Sequence, residues 1–362
     1  MTITRPCYAS RELVKRALDY KETARSDGQV DRAIEAASDA VDGQLHRRFY
    51  PELATRYFDW PYAGGSRSWR LWLDANELIS VETLTSGGVT LTEGTDFFLR
   101  RADDRDEPPY TQVQINLAGD ATFGGGDTYQ RDIAIYGLYG HSANEARAGS
   151  LAAALDATTT SVDITDAGLV GVGDLIRVGT ERMLVTGRRM LTTGQTLTSD
   201  LTASAAGTIV PVSDGDAYGV DEVVLIDGER MLIVDIAGDD LIVKRAWDGS
   251  TLAAHTSGAT VYAARRLTID RGVLGTTAAT HAQGDAVARH VPPALVRDLG
   301  AAEAIEQLLQ EPAGYARAST TRNASTSTST DRTSTPQYGV GLDALRARTY
   351  TAYGRKARTK AV

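Results

Sequence analysis

The spacing of apolar positions changes along this chain, and each change predicts an element. Between Ser10 and Lys21, Leu13, Val14, Ala17 and Leu18 recur at helical spacing behind a capping serine, which predicts a short amphipathic helix. A second helix is predicted from about Gln29 to Arg47. There Val30, Ala33, Ile34, Ala37, Val41 and Leu45 form one stripe, and Ser26 or Asp27 stands ready to cap it. From Thr55 the period becomes two. Tyr57 to Trp60, Trp69 to Leu73, Leu78 to Leu84, Phe97 to Arg101, Val113 to Leu117 and Ile133 to Tyr136 read as a small antiparallel meander, with Gly87-Gly88 as a hairpin turn. Helical spacing returns from Ala294 to Gln310, where Leu295, Leu299, Ala302, Ile305, Leu308 and Leu309 share a side behind Val291-Pro292-Pro293.

Between the meander and that last helix the pattern repeats itself. Residues 174–187, DLIRVGTERMLVTG, return as 222–235, EVVLIDGERMLIVD, so Glu181-Arg182-Met183 matches Glu229-Arg230-Met231. Residues 241–261 return as 267–287, placing Arg245, Gly249, His255 and Gly258 on Arg271, Gly275, His281 and Gly284. The order is front, front, back, back, which a tandem duplication does not give. It predicts an outer β module, 150–189 plus 264–290, with a complete inner copy, 190–263, planted in a surface turn. Gly187 to Met190 should then lie beside Ala263 to Arg266. Loop tips tolerate such insertions.

Composition adds boundaries. A chain of 362 residues with one cysteine, Cys7, expects two or three domains, no internal disulfide framework and no multi-thiolate metal site. No basic and apolar leader and no long apolar run is found, so neither a secretory signal nor a membrane span is expected. The net charge of −9 is uneven, because residues 312–362 carry nine Lys or Arg against Asp331 and Asp343. An acidic body with a basic tail points to the tail as the part that meets something negative. Residues 312–336 are rich in Ser and Thr and read as a flexible linker, followed by a basic segment, 337–362.

Candidate chemistry is sparse. His255 and His281 sit at matched positions, which invites a metal reading, but without thiolates the plainer reading is a turn histidine bonding the backbone of its own module. Asp163, Asp166, Asp174, Asp214, Asp216, Asp221 and Glu222 lack the spacing of a calcium loop and read as solvated turns. Gly168, Gly171 and Gly173, like Gly124 to Gly126, lack the context of a dinucleotide or phosphate loop and read as turns. No nucleophile with a paired base stands out, so no enzyme, cofactor or metal is expected.

With the insert set aside, DRAIEAASDAVDGQLHRRFYP, the Trp- and Tyr-rich strand, LWLDANELISVETLT, LTEGTDFFLRRADD, PPYTQVQIN and the proline-started helix resemble the head–tail connector (adaptor) proteins of long-tailed bacteriophages. The resemblance covers roughly 8–140 and 291–311. It implies a virion protein of the neck, assembled in the host cytoplasm as a ring commonly of about twelve copies. Its implied partners are the portal protein, a stopper or tail-terminator protein, and double-stranded DNA in transit, with no membrane.

The predicted class is α+β: a small helical core (1–145 with 291–311) bearing an antiparallel meander, an inserted all-β region of two nested modules, and an extended basic C-terminal tail. Leu13, Val14, Ile34, Val41, Leu45, Leu295, Leu299 and Ile305 are the expected ring-packing residues. Leu342, Leu345, Arg346, Arg348, Tyr350, Tyr353, Arg355, Lys356, Arg358 and Lys360 are expected to dock the tail on a partner, or on DNA phosphates. The alternative function is a decoration protein whose β modules bind a host surface or glycan.

Overall fold

Helix α1 (Arg11–Ala17) begins where the Ser10 hydroxyl accepts from the Leu13 amide at 3.3 Å. Helix α2 (Asp27–Leu45) begins with the Gln29 side chain accepting from the Ser26 N–H at 3.2 Å, and ends at His46 in the left-handed region. Its predicted apolar stripe is buried from Val30 to Leu45. Burial of each large apolar side chain is worth roughly 1.5–3 kcal/mol, which holds a helix that propensity alone would leave marginal. The computed structural model describes residues 3–18, 26–63, 66–103, 105–310 and 340–355.

The period-two stretch forms β1 (Glu52–Phe58), β2 (Tyr62–Ala63), β3 (Ser66–Arg67), β4 (Arg70–Trp72), β5 (Leu78–Ser86), β6 (Val89–Leu91), β7 (Phe97–Arg100), β8 (Gln112–Ile115) and β9 (Ile133–Tyr139). These strands do not make one meander. A four-stranded sheet in the order β1-β9-β5-β6 and a three-stranded sheet β4-β8-β7 enclose a common core of Phe58, Leu71, Leu84, Phe97, Val113, Ile133 and Ile135, and β2-β3 is a separate hairpin.

The inserted region comprises β10 (Glu145–Ser150), β11 (Ser161–Asp163), β12 (Leu175–Val178), β13 (Glu181–Thr196), β14 (Ile209–Pro211), β15 (Val223–Ile226), β16 (Glu229–Ala237), β17 (Asp240–Lys244), β18 (Thr260–Asp270) and β19 (Ala286–His290). Two long strands, β13 and β18, run antiparallel through both repeats. Arg189 stands opposite Arg266, and Leu191 opposite Ala263. On one side of this junction the ladder passes through β11, β18, β13, β12, β19 and β10, and nearly closes where Leu151 bridges Ile164. On the other side β18, β15, β16, β17 and β14 return to the end of β13, where the Thr198 amide donates to Pro211 O at 3.0 Å. Each repeat is therefore a small barrel-like ladder. The short strands expected from sequence fuse at the junction: β13 runs on through Gly187 and absorbs the irregularity as register shifts at Val185/Gly187 and Arg189/Leu191 instead of turning.

Burial separates the two modules. The inner one has its own core, including Val210, Val224, Met231, Ile233, Val243 and Val261. The outer one shares its core with helices: Ile176, Met183, Val185 and Val287 pack with Val14, Val30, Ile34 and with Ala304 and Leu308 of α3 (Ala294–Gln310). The glycine string explains how the helix gets so close. A Cβ on Gly171 would stand 2.6 Å from Ser10 Cβ, so only glycine lets the start of α1 settle on the module. The Arg11 amide donates to Val172 O at 3.0 Å, and the Val172 amide to the Glu12 carboxylate at 2.7 Å.

Residues Val340–Tyr353 form helix α4, folded back on the body instead of running as an extended tail. Leu342 is buried, and Leu345 and Tyr353 are packed against Val41, Leu45, Phe49, Val296 and Leu299. Among the expected ring-packing residues, Val14, Ile34, Val41, Leu45 and Leu299 are buried in the chain's own core. Leu13 and Ile305 pack at its edge, and Leu295 is half-buried. An amphipathic stripe marks a face to be covered; here the chain covers it.

Candidate functional site

The repeated motifs converge on two buried carboxylates. Glu181 and Glu229 have no exposed surface. Glu181 accepts from Arg271 Nε and Nη2 at 2.6 and 2.7 Å, from the Gly272 and Ala279 amides at 3.1 and 3.0 Å, and stands 2.8 Å from His281 Nε2. Glu229 accepts from Arg245 Nε and Nη2 at 2.7 and 2.8 Å, from the Ala246 and Ala253 amides at 2.9 and 3.0 Å, and stands 3.0 Å from His255 Nε2. The partners correspond one for one. Each arginine spends its remaining donors on carbonyls of the facing loop: Arg271 on Asp156 and Thr159, Arg245 on Thr202 and Gly207.

The matched histidines therefore bond a carboxylate through the ring, not the backbone of a turn. Their own backbones pair with Leu155 and Leu201, which fastens the loop on the other side. Burial pushes both glutamates up, but the arginine, amide and histidine donors outweigh it and hold them well below the ordinary carboxylate range, at about 2. A buried charge so fully satisfied has no acceptor capacity left for a substrate. Among the described residues no group of three or more His, Cys, Asp or Glu is arranged to hold a metal ion. Both nodes act as structural fasteners. The sequence carried their signal, since Glu, Arg and His recur together, but repetition does not say which of them meet.

A second matched pair sits one strand earlier. Glu222 is fully buried and bonds Arg265 at 2.6 and 2.8 Å. Asp174, its counterpart, is buried and accepts from the Gly171 amide at 2.7 Å, with Arg289 only at 3.7 Å. Burial dominates there and raises the Asp174 carboxyl to about 6. Neither residue is the solvated turn acid expected from sequence. Asp163 pairs with Arg266 at 2.7 Å, and Asp221 with Arg16 at 3.1 Å.

The expected docking residues fall into three groups. Leu342, Leu345 and Tyr353 face the hub formed by α2 and α3, and Arg346 binds Glu303 at 2.6 and 2.7 Å and Glu306 at 3.2 Å. Tyr353 meets Phe49 and His141 edge to face, with ring centroids 6.0 and 5.6 Å apart. The Arg355 amide donates to Leu45 O at 3.0 Å, satisfying one carbonyl at the end of α2. Arg348 and Tyr350 are exposed on the other side of α4. Lys356, Arg358 and Lys360, and the 312–336 linker, lie outside the described residues. Burial, with Arg47 and Arg101 nearby, lowers the His141 imidazole to about 4, so it is neutral beneath Tyr353 at neutral pH.

Two clefts remain. One, of about 340 Å³, lies beside the hub and is lined by Arg47, Arg48, Arg56, Glu52, Glu77 and Tyr139. Its charges are paired: Arg47 with Glu77 at 3.0 Å and Arg56 with Glu52 at 3.0 Å, while the Arg56 guanidinium lies 4.1 Å from the Tyr139 ring centroid. The other, of about 280 Å³, separates α1 from the inner module and is crossed by Lys15 to Asp248 at 2.8 Å and Arg16 to Asp221 at 3.1 Å. Ion pairs of this kind hold neighbouring elements in register. Comparison with protein-family models, curated proteins and solved structures finds no match for this chain.

Proposed function

We propose that this chain is a structural protein of a bacteriophage neck: a head–tail connector whose copies form a ring under the portal, carry a stopper or tail-terminator protein, and leave a channel for double-stranded DNA. The observation that carries the reading is the helical hub. Tyr8, Val41, Leu45 and Phe49, from one end of the sequence, pack with Val296 and Leu299 from the other, so the segments that resemble connectors share a core across the insert. Fully satisfied ionic nodes and paired clefts suit a load-bearing part better than a catalyst. No helix among the described residues is long and apolar enough to cross a membrane.

Electron microscopy of the purified full-length protein, alone and mixed with portal-bearing heads, is the direct test. Rings, or density attached at the portal vertex, are expected. A compact monomer that never forms rings and never binds portals removes the reading. The competing function, decoration or host-surface binding through the β modules, gains from the inner module having a core of its own. Replacing residues 190–263 by a short turn separates the two: a connector still assembles without the inner module, whereas a binding protein loses its attachment. Excising the whole insert is less informative, because α1, α2 and α3 share the outer module's core.

A further inference from the structure

Helix α4 is joined to α3 by far more chain than its position requires. Ile34 shares a core with Ala304 and Leu308, and Leu45 with Val296 and Leu299, so α2 and α3 run antiparallel. Arg346 on Glu303 and Glu306, and the Arg355 amide on Leu45 O, then set α4 antiparallel to α3. The first turn of α4 thus starts beside the end of α3. Antiparallel helix neighbours are connected by about two to eight residues. Here α3 ends at Gln310 and α4 begins at Val340, so the connection is the whole of 311–339. Fully extended, a chain of that length reaches about 100 Å, well past the edge of one domain of this size.

We infer that α4 is an exchanged element: between assembled copies it seats on the α2–α3 groove of a neighbouring copy, which the length of chain between Gln310 and Val340 is enough to reach. The occupant is set by the groove itself. Its floor of Val41, Leu45, Phe49, Val296 and Leu299 fits Leu342, Leu345 and Tyr353, and its acidic rim, Glu303 and Glu306, meets Arg346. A neighbour's α4 makes every one of these bonds unchanged, so the exchange sacrifices no contact. The long connection also weakens the preference of α4 for its own body, because closure entropy grows with the length of the closing chain. In a ring, the same groove on each copy would take the helix of the next. This rests on the reading that copies of the chain assemble.

The test uses full-length protein carrying Glu303→Cys and Arg346→Cys, with Glu306→Cys and Arg346→Cys as a second pair. Cys7 is buried and stays in place. A short bis-maleimide is added to the assembled protein, and products are read on a denaturing gel against each single-cysteine variant. Exchange predicts that most linked protein shifts to dimer and higher bands in both pairs, and that single variants show no such ladder. Linked monomer alone, in a sample that is oligomeric by light scattering, overturns the exchange and leaves the ring standing. Absence of any link in both pairs overturns it as well. Protein that stays monomeric at every concentration, with and without portal, removes the ring reading and the exchange together.

Discussion

The outer and inner β modules hold the same buried carboxylate with the same partners, yet they are built into the molecule differently. Around Glu229 the inner module closes on its own core, and it meets the rest of the chain through β13, β18, the Ala167 amide on Glu222 and a few ion pairs from α1. Around Glu181 the outer module has given one face to α1, α2 and α3, and its core is also theirs. One repeat has become scaffold, and the other has remained a module. The individual bonds, nearly equal in the two copies, do not decide which elements stand or fall together; what is packed on the other side of each sheet does.

Breaking each node is the strongest test of that difference. Glu229→Ala and Glu181→Ala each leave a buried arginine without its partner, a change that costs about 3–5 kcal/mol. In Glu229→Ala, loss of hydrogen-exchange protection is expected to stay within residues 197–263. In Glu181→Ala it is expected to spread into α1, α2 and α3. Identical, confined protection loss in both variants contradicts the shared core.

Acid sensitivity gives a second contrast. Glu181 and Glu229 lie below their ordinary value, so their stabilisation is complete above about pH 4.5 and is lost as pH falls toward about 2. Asp174 has the opposite sign. Its carboxyl is raised to about 6, so the folded state prefers it protonated, and stability falls as pH rises from about 4 through 6. Asp174→Asn keeps an acceptor for the Gly171 amide and removes the charge. It is expected to stabilise the protein at neutral pH by on the order of 1 kcal/mol and to be near neutral at pH 4, judged by thermal melts at both pH values. A larger gain at pH 4 than at pH 7 reverses the assignment.

The smallest expected effect concerns a difference between the nodes at the histidine Nδ1. His255 Nδ1 lies 2.7 Å from Asp227, whereas the matching position near His281 is Gly179. Both residues have positive φ, 53° at Asp227 and 58° at Gly179, a conformation aspartate tolerates better than most. Gly179→Asp is expected to make the outer node resemble the inner one and to raise the melting temperature slightly, by about 0.5–1 kcal/mol equivalent. A clear fall in melting temperature means the second carboxylate has no stabilising role.

Much of this was legible in the chain. The stripe of α2 and the proline-led start of α3 depend on local spacing and caps, so both helices lie where the periodicity puts them. The internal repeat fixed which strands correspond. Other features were not legible for identifiable reasons. A period of two says that a strand has an inside face, but not which sheet it joins, so the meander divided into two sheets unannounced. Asp174 and Glu222 carry the sequence signature of turn acids, and only the close approach of Arg265 to one of them separates a paired acid from one whose burial is left uncompensated. Leu342, Leu345 and Tyr353 show a docking face, but a docking face does not name its dock.

By itself, then, the sequence determined the local elements, the nested order of the repeat and the residues that recur in it, because these follow from spacing within one or two turns or from comparing the chain with itself. The tertiary structure alone decided that the recurring Glu, Arg and His meet at one buried point, that the outer module serves as the floor for the helices, and that α4 lies on the α2–α3 groove. Those outcomes depend on which apolar faces find each other over separations of tens to hundreds of residues. Burial is non-directional and rewards any adequate cover, so an apolar stripe records the need for a partner without recording the partner.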